Sequence, residues 1–388
     1  MLVKETLYTL NDITVLPAEI SCIKSRQECN PFYNDTSFLP LFVSPMNNIV
    51  NDDNVSCFTD AGVNVITPRD DERIEYVLRK IRWESLWSKN LFVGMSLKEF
   101  IQYFIDEEVE DINQVRKVCV DLANGHMQHL LDVCSKVKNK FGDKVIIMTG
   151  NIANPETYKD YAIAGIDYIR LGIGTGSICT TAANSSIHHP MASLIDQCKK
   201  IKDCIEVEIE TSNITEYKSV PKIIADGGFT NFDQIIKALA LGADYCMCGK
   251  LFAQCIEACT SIIADKDFNL PEEKDYWPNP PKHSTVRQPY KYVEFVLDLM
   301  DRGYGFHRDY YGMSTKRAQR EMGGKGNKTA EGITTRIDVK YTIAGWIDNF
   351  KSYLKSAMSY TGFRTIEEFI GGPICKIQST NSYSAYFK

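Results

Sequence analysis

Val145-Ile-Ile-Met-Thr-Gly150, then Pro155-Glu-Thr-Tyr-Lys-Asp-Tyr-Ala-Ile-Ala164, the turn Gly-Ile-Asp167 and finally Tyr168-Ile-Arg-Leu171 form the stretch that decides the fold. Two short, near-continuous apolar runs flank a segment with helical spacing. A strand that is apolar on both sides is buried on both faces, which is the signature of a parallel sheet covered by helices. The same unit recurs outward in both directions. Apolar runs ending in polar or glycine positions lie at Leu39–Met46, Val63–Thr67, Leu91–Ser96, Val118–Leu122, Val145–Gly150, Tyr168–Leu171, Lys222–Asp226 and Tyr245–Cys248. Helical segments such as Met127–Val137 and Phe232–Leu241 separate them, and the turns Ala-Gly-Ile-Asp167 and Leu-Gly-Ala-Asp244 look alike. Eight such units predict an α/β protein of the (β/α)8 TIM-barrel type, with an open doubly wound sheet as the alternative.

The chain has 388 residues, 44% hydrophobic and 24% charged, enough for a sizeable core. Its net charge of −6 disfavours nucleic acid and anionic membranes as partners, because both repel an acidic surface. The 13 cysteines are scattered without a Cys-x-x-Cys pair, a pattern expected in a reducing cytoplasm rather than of a disulfide scaffold. No apolar run reads as a signal peptide or membrane span. Residues 10–36 read as an arm packed on the outside of the barrel. Residues 264–300, with the proline-dense Pro271–Pro281 and a helical Tyr292–Met300, read as an inserted excursion after the eighth strand. The whole of 1–388 is expected to be a single barrel domain. Residues 314–335, polar and rich in glycine and lysine, have the composition of a mobile flap.

Chemistry in such a barrel sits where the strands end. Leu171-Gly-Ile-Gly-Thr-Gly-Ser-Ile-Cys-Thr-Thr181 follows the sixth run and combines spaced glycines with a thiol and hydroxyls. Glycines let main-chain groups close on a phosphate or cation, and Cys179 at the tip is a candidate nucleophile; a tight turn with a buried cysteine is the plainer reading. Asp226-Gly-Gly228 follows the seventh run: a carboxylate able to accept ribose hydroxyls beside two glycine amides able to approach phosphate. Gly249-Lys250 follows the eighth, where barrels often complete a phosphate cup. His126, His129, His188 and His189 lack a carboxylate at metal-ligand spacing and are expected to be solvated or core residues.

The cysteine loop resembles the active-site loop of the IMP dehydrogenase / GMP reductase family, Gly-x-Gly-x-Gly-Ser-[Ile/Val]-Cys-x-Thr, and the likeness runs from about Leu10 to Gly372. It implies that Cys179 bonds to purine C2 and that Thr181 and Glu331 move the proton. It implies nucleotide contacts from Ser177, Asp226, Gly227, Gly228, Gly249, Lys250 and the Tyr310-Tyr-Gly312-Met313-Ser314 run. Asp121, Asn124 and Gly125, in an Asp-x-Ala-Asn-Gly run typical of the reductase branch, together with Arg69, are implied for the cofactor. Carbonyls of Gly174, Gly176 and Cys179 are implied to hold a monovalent cation, K+ by resemblance, in a homotetramer. The dehydrogenase branch activates water with an Arg-Tyr pair on its flap; here Arg317 and Arg320 are followed by Ala318 and Glu321. The resemblance therefore favours NADPH-dependent reduction of GMP to IMP and ammonia. IMP dehydrogenation with NAD and a non-catalytic nucleotide-binding homologue are the alternatives. Four positions depart from the pattern: Asn47 where the family has aspartate, Arg69 where reductases have lysine, Lys250 where a small or apolar residue is usual, and Ala182 where reductases have arginine. In addition, Gly332-Ile-Thr-Thr-Arg336 resembles the dehydrogenase as much as the reductase, and Ser356-Ala-Met-Ser-Tyr-Thr-Gly362 leans towards the dehydrogenase. The regulatory tandem module of many dehydrogenases has no room after Thr67.

Overall fold

The computed structural model describes residues 5–33, 36–107, 109, 112–212, 214–264, 289–323, 332–379, 382 and 384. Eight parallel strands close into a barrel: β1 (Leu41–Val43), β2 (Asn64–Thr67), β3 (Phe92–Met95), β4 (Arg116–Asp121), β5 (Val145–Ile152), β6 (Tyr168–Leu171), β7 (Lys222–Asp226) and β8 (Tyr245–Cys248). Closure is made by β1, which pairs with β2 on one edge and β8 on the other, and it excludes the open doubly wound sheet. All eight apolar runs of the sequence are barrel strands.

Two apolar layers follow from the strand period of two. Phe42, Ile66, Phe92, Cys119, Met148, Ile224 and Met247 form one buried cluster with Tyr168 and Tyr245 against it; these side chains fill the barrel interior. The alternate residues face the surrounding helices in a second, larger cluster. Two residues beyond each interior position the side chain again points inward, one layer nearer the strand ends. That next layer is Ser44, Asp121, Gly150, Arg170, Asp226 and Gly249, among others, so the interior changes from apolar to polar within one repeat of the pleat.

The two look-alike turns are staples. Asp167 Oδ2 accepts from Ile147 N at 2.7 Å and the carboxylate takes Lys138 Nζ at 3.0 Å. Asp244 Oδ2 accepts from Ile223 N at 2.7 Å and its Oδ1 takes Lys202 Nζ at 2.8 Å. Each aspartate, placed just before its strand, ties a neighbouring strand to the covering helix.

The N-terminal arm lies outside the barrel, where Ile13–Val15 pairs antiparallel with Cys375–Ile377. Helix Ile343–Thr361 is the long helix that follows β8, reached only after an excursion. Part of that excursion is an antiparallel sheet of Ile263–Ala264, Phe306–Tyr311 and Thr334–Asp338, covered by helix Pro289–Asp301. The expected helix near Tyr292–Met300 is present; Pro271–Pro281 lies outside the described residues. Fully buried Arg308 donates to the carbonyls of Ala258 at 2.8 Å and Ile256 at 3.1 Å, which anchors this sheet to the end of the barrel.

Candidate active site

The strand ends enclose a cavity of about 480 Å³, within the size range of small-molecule sites. Its wall includes Cys179, and all ten residues assigned to the nucleotide by sequence: Ser177, Asp226, Gly227, Gly228, Gly249, Lys250, Tyr310, Gly312, Met313 and Ser314. Asp121, Arg69 and Gly176 line it too. Gly174, Thr181, Asn124 and Gly125 stand behind this wall. Asn124 Oδ1 accepts from His126 N at 3.0 Å, and Gly125 N donates to Asn151 O at 2.9 Å, so both shape the loop after β4. Glu331 lies outside the described residues.

The cysteine loop is fixed at both ends. Gly172 N donates to Ile152 O at 2.9 Å, and Cys179 N closes a turn on Gly176 O at 3.0 Å. Between them Thr175 Oγ1 donates to Asp226 O at 2.7 Å, joining this loop to the Asp-Gly-Gly loop. Gly174 has φ +71° and sits so close to Ala182 that a Cβ would lie 2.7 Å from the alanine methyl, which gives the Ala182 departure a packing role. Cys179 is half-buried, and its Sγ lies 3.3 Å from Thr181 Oγ1. Gly332 forms a β-bridge with Cys179, and Ile333 N donates to Ile178 O at 3.0 Å. Gly332 and Ile333 are therefore docked along the cysteine loop.

Opposite, Tyr310 comes from the excursion sheet. Its hydroxyl would touch a Cβ at Gly249 at 2.8 Å, and its one hydrogen-bond partner among the described residues is Met46 Sδ at 4.0 Å. Burial pushes the phenol further up from its ordinary value, so it stays a donor at any physiological pH. Ser44 and Lys250 border the same corner. Asn47 carries no charge, but its carbonyl accepts from Cys259 Sγ at 3.1 Å, and Asn48 Nδ2 donates to Tyr311 O at 2.6 Å. The Met-Asn-Asn loop thus holds the tyrosine strand over the cavity.

At the floor, sequence reading passed over two residues. Arg170, the third residue of Tyr168-Ile-Arg-Leu171, extends across the barrel: Nη1 donates to Asp121 Oδ1 at 2.7 Å, while Nε and Nη2 donate to Asp226 Oδ2 at 3.1 and 2.9 Å. Asn151 Nδ2 adds a bond to Asp226 Oδ2 at 2.8 Å and another to Gly172 O at 2.8 Å. The signal was available, since a lone arginine two residues after an inward tyrosine must itself point inward. Burial would lower the Arg170 pKa, but the Asp226 and Asp121 carboxylates outweigh it and hold the guanidinium charged. Burial likewise would raise Asp121; Arg170 and Arg69, whose Nε is 3.4 Å from Asp121 Oδ2, bring it below its ordinary value. Burial raises the interior thiol of Cys119 to about 12, which leaves it neutral.

His126 and His189 are tied to neighbouring loops, whereas His129 and His188 are exposed. His126 Nδ1 meets Thr157 Oγ1 at 2.9 Å, and Nε2 accepts from Ala153 N at 3.0 Å. His189 Nδ1 is 3.0 Å from Ala153 O. Among the described residues no group of three His, Cys, Asp or Glu side chains is placed to hold a metal, and no helix is long and apolar enough to cross a membrane.

A closed barrel with a cysteine loop, an Asp-Gly-Gly turn and a tyrosine over the strand ends defines a small-molecule site with a thiol in its wall. The chain belongs to the family described as the IMP dehydrogenase / GMP reductase domain, whose model matches residues 8–276. It is 25% identical to a GMP reductase of Buchnera aphidicola subsp. Schizaphis graminum over 71% of this chain and 69% of that one. It is 26% identical to a GMP reductase of Vibrio cholerae serotype O1 over 65% of this chain and 58% of that one. It is 31% identical to an inosine-5'-monophosphate dehydrogenase of Chlorobaculum parvum over 65% of this chain and 43% of that one. The matched region thus spans between under half and about two thirds of these relatives.

Proposed function

We propose that the chain is a GMP reductase that converts GMP to IMP and ammonia with NADPH. The observation that carries this reading is Cys179 Sγ in the cavity wall, 3.3 Å from the Thr181 hydroxyl, facing the same space as Asp226, Gly228 and Tyr310. In this reading a ribose meets the Asp226 carboxylate, and a phosphate meets Gly228, Gly249, Lys250 and the Tyr310 hydroxyl. The purine then lies over Cys179. The thiol sulfur bonds to C2, the C2–N bond breaks, and the thiol proton leaves with ammonia through Thr181 and Glu331. The nicotinamide cofactor, when bound beside Asp121 and Arg69, supplies the hydride that C2 receives as the C–S bond breaks. Asn124 and Gly125 support that side through the loop they hold. Main-chain carbonyls of Gly174, Gly176 and Cys179 are the donor type for a monovalent cation such as K+, on a loop already held tight by the Cys179 N to Gly176 O bond.

Support for the reductive direction comes from the flap. Arg317 is bound to Asp309 Oδ2 at 2.7 Å and Glu321 Oε1 at 3.0 Å, and its guanidinium stacks 4.4 Å from the Tyr311 ring centroid. A guanidinium so engaged does not activate water. The second reading, IMP dehydrogenation with NAD, is favoured by the higher identity to the Chlorobaculum relative. Purified protein separates the two: GMP with NADPH loses NADPH absorbance and releases ammonia under the first, IMP with NAD gains absorbance under the second. Nucleotide binding without either change marks a non-catalytic homologue.

A further inference from the structure

We propose that Arg170 is a positioning residue that makes one rigid unit of the nucleotide-facing carboxylate Asp226 and the cofactor-facing carboxylate Asp121. The proposal rests on the reading of the site given above.

The geometry points to it from three directions. First, the guanidinium divides its donors: Nη1 serves Asp121, whereas Nε and Nη2 both serve one oxygen, Oδ2, of Asp226. Asn151 Nδ2 binds that same Oδ2. Three donors on one oxygen fix the carboxylate plane and leave the Oδ1 edge as the one presented to the cavity. Secondly, the bridge is built into the barrel's register. Gly150 stands between Asp121 and Arg170 on the intervening strand, paired with both. A Cβ there would lie 2.8 Å from Arg170 Cβ, so the glycine leaves the path by which arginine spans a strand. Thirdly, the three side chains are 9%, 16% and 12% exposed, and in that setting a fork of fixed geometry holds where a single flexible ammonium does not. Each carboxylate is thereby oriented before any ligand arrives, which lowers the ordering cost of binding.

The consequence is that selectivity for ribose over deoxyribose, which rests on the Asp226 edge, depends on Arg170, a floor residue of the same cavity that acts by holding that edge. It also depends on Asp121, on the far side of the arginine. The test is isothermal titration of GMP and of 2'-deoxy-GMP into wild type, Arg170→Lys and Asp121→Asn, with NADPH titrated into each protein saturated with IMP. Lysine keeps the charge and loses the fork. Expected results are a GMP to deoxy-GMP preference that falls at least about fivefold in Arg170→Lys and at least about twofold in Asp121→Asn, and NADPH binding weakened in both. A general loss of stability would weaken both nucleotides equally and leave their ratio alone. If wild-type and variant ratios agree, the positioning role is refuted while the nucleotide site stands. Should Arg170→Lys fail to fold, Asp121→Asn decides by the same ratio. If wild type binds neither nucleotide, the functional reading fails and this inference with it.

Discussion

Replacing Tyr310 by phenylalanine separates ligand binding from folding unusually cleanly. The hydroxyl reaches only a methionine sulfur at 4.0 Å among the described residues, so the folded protein loses almost nothing when it goes, and the ring keeps its packing at 4% exposure. Under the proposed function the same hydroxyl would donate to a phosphate oxygen of bound GMP. A hydrogen bond to a charged group contributes about 1.5–3 kcal/mol, which is about a 10- to 160-fold change in Kd. Because the contact is the same in ground and transition states, KM takes the loss and kcat does not. The assay is titration of GMP and of guanosine into both proteins, with thermal unfolding of each alongside. GMP weakens by that factor, guanosine is unaffected, and Tm moves by about 1 °C or less. Equal weakening of GMP and guanosine, or a GMP affinity within twofold of wild type, refutes the phosphate role of this corner.

Further perturbations test other parts of the account. Asp244→Ala leaves the Lys202 ammonium, 5% exposed, without its carboxylate; the cost is about 3–5 kcal/mol, which across 388 residues lowers Tm by about 4–6 °C. Asp167→Ala, at the more exposed staple, costs less, and a reversed order in thermal unfolding contradicts the burial argument. Asp121 has its folded pKa lowered, so its ionised form favours the fold: that stability is complete above its ordinary 3.8 and is lost as pH falls through the lower folded value. Tm measured from neutral to strongly acid pH therefore falls less steeply at the acid end in Asp121→Asn than in wild type, and parallel curves rule the linkage out. Gly150→Ala places a methyl 2.5 Å from Arg170 O; nucleotide and NADPH affinities both drop, and unchanged titrations of both would remove Gly150 from the bridge.

The barrel was legible because its strands are apolar on both faces, a pattern that few other architectures require. The cavity wall was legible because the strand ends could be located: Asp226 closes one apolar run, Gly249 follows the next directly, and the loop that carries Cys179 opens where a third ends at Leu171. Arg170 and Asn151 escaped because the site residues were sought after each strand, while Arg170 lies within the paired register of β6 and Asn151 at the register shift inside β5. Asn124 and Gly125 were expected at the cofactor because one loop, Asp121 to Gly125, resembles that of the reductase branch. Which of its side chains faces the cavity depends on the turn's hydrogen bonds to Asn151 and His126, and no residue pattern encodes those. The packing of Ala182 on Gly174 and the anchoring of the excursion by Arg308 arise from contacts between segments distant in sequence, where local pattern carries no information.

The most direct measurement is mass spectrometry of the intact protein and of its Cys179 peptide after brief mixing with GMP, without reductant. The account predicts a peptide heavier by one GMP less one ammonia, which disappears when NADPH is added and is absent from Cys179→Ala. A protein that turns GMP over while that peptide keeps its unmodified mass contradicts it.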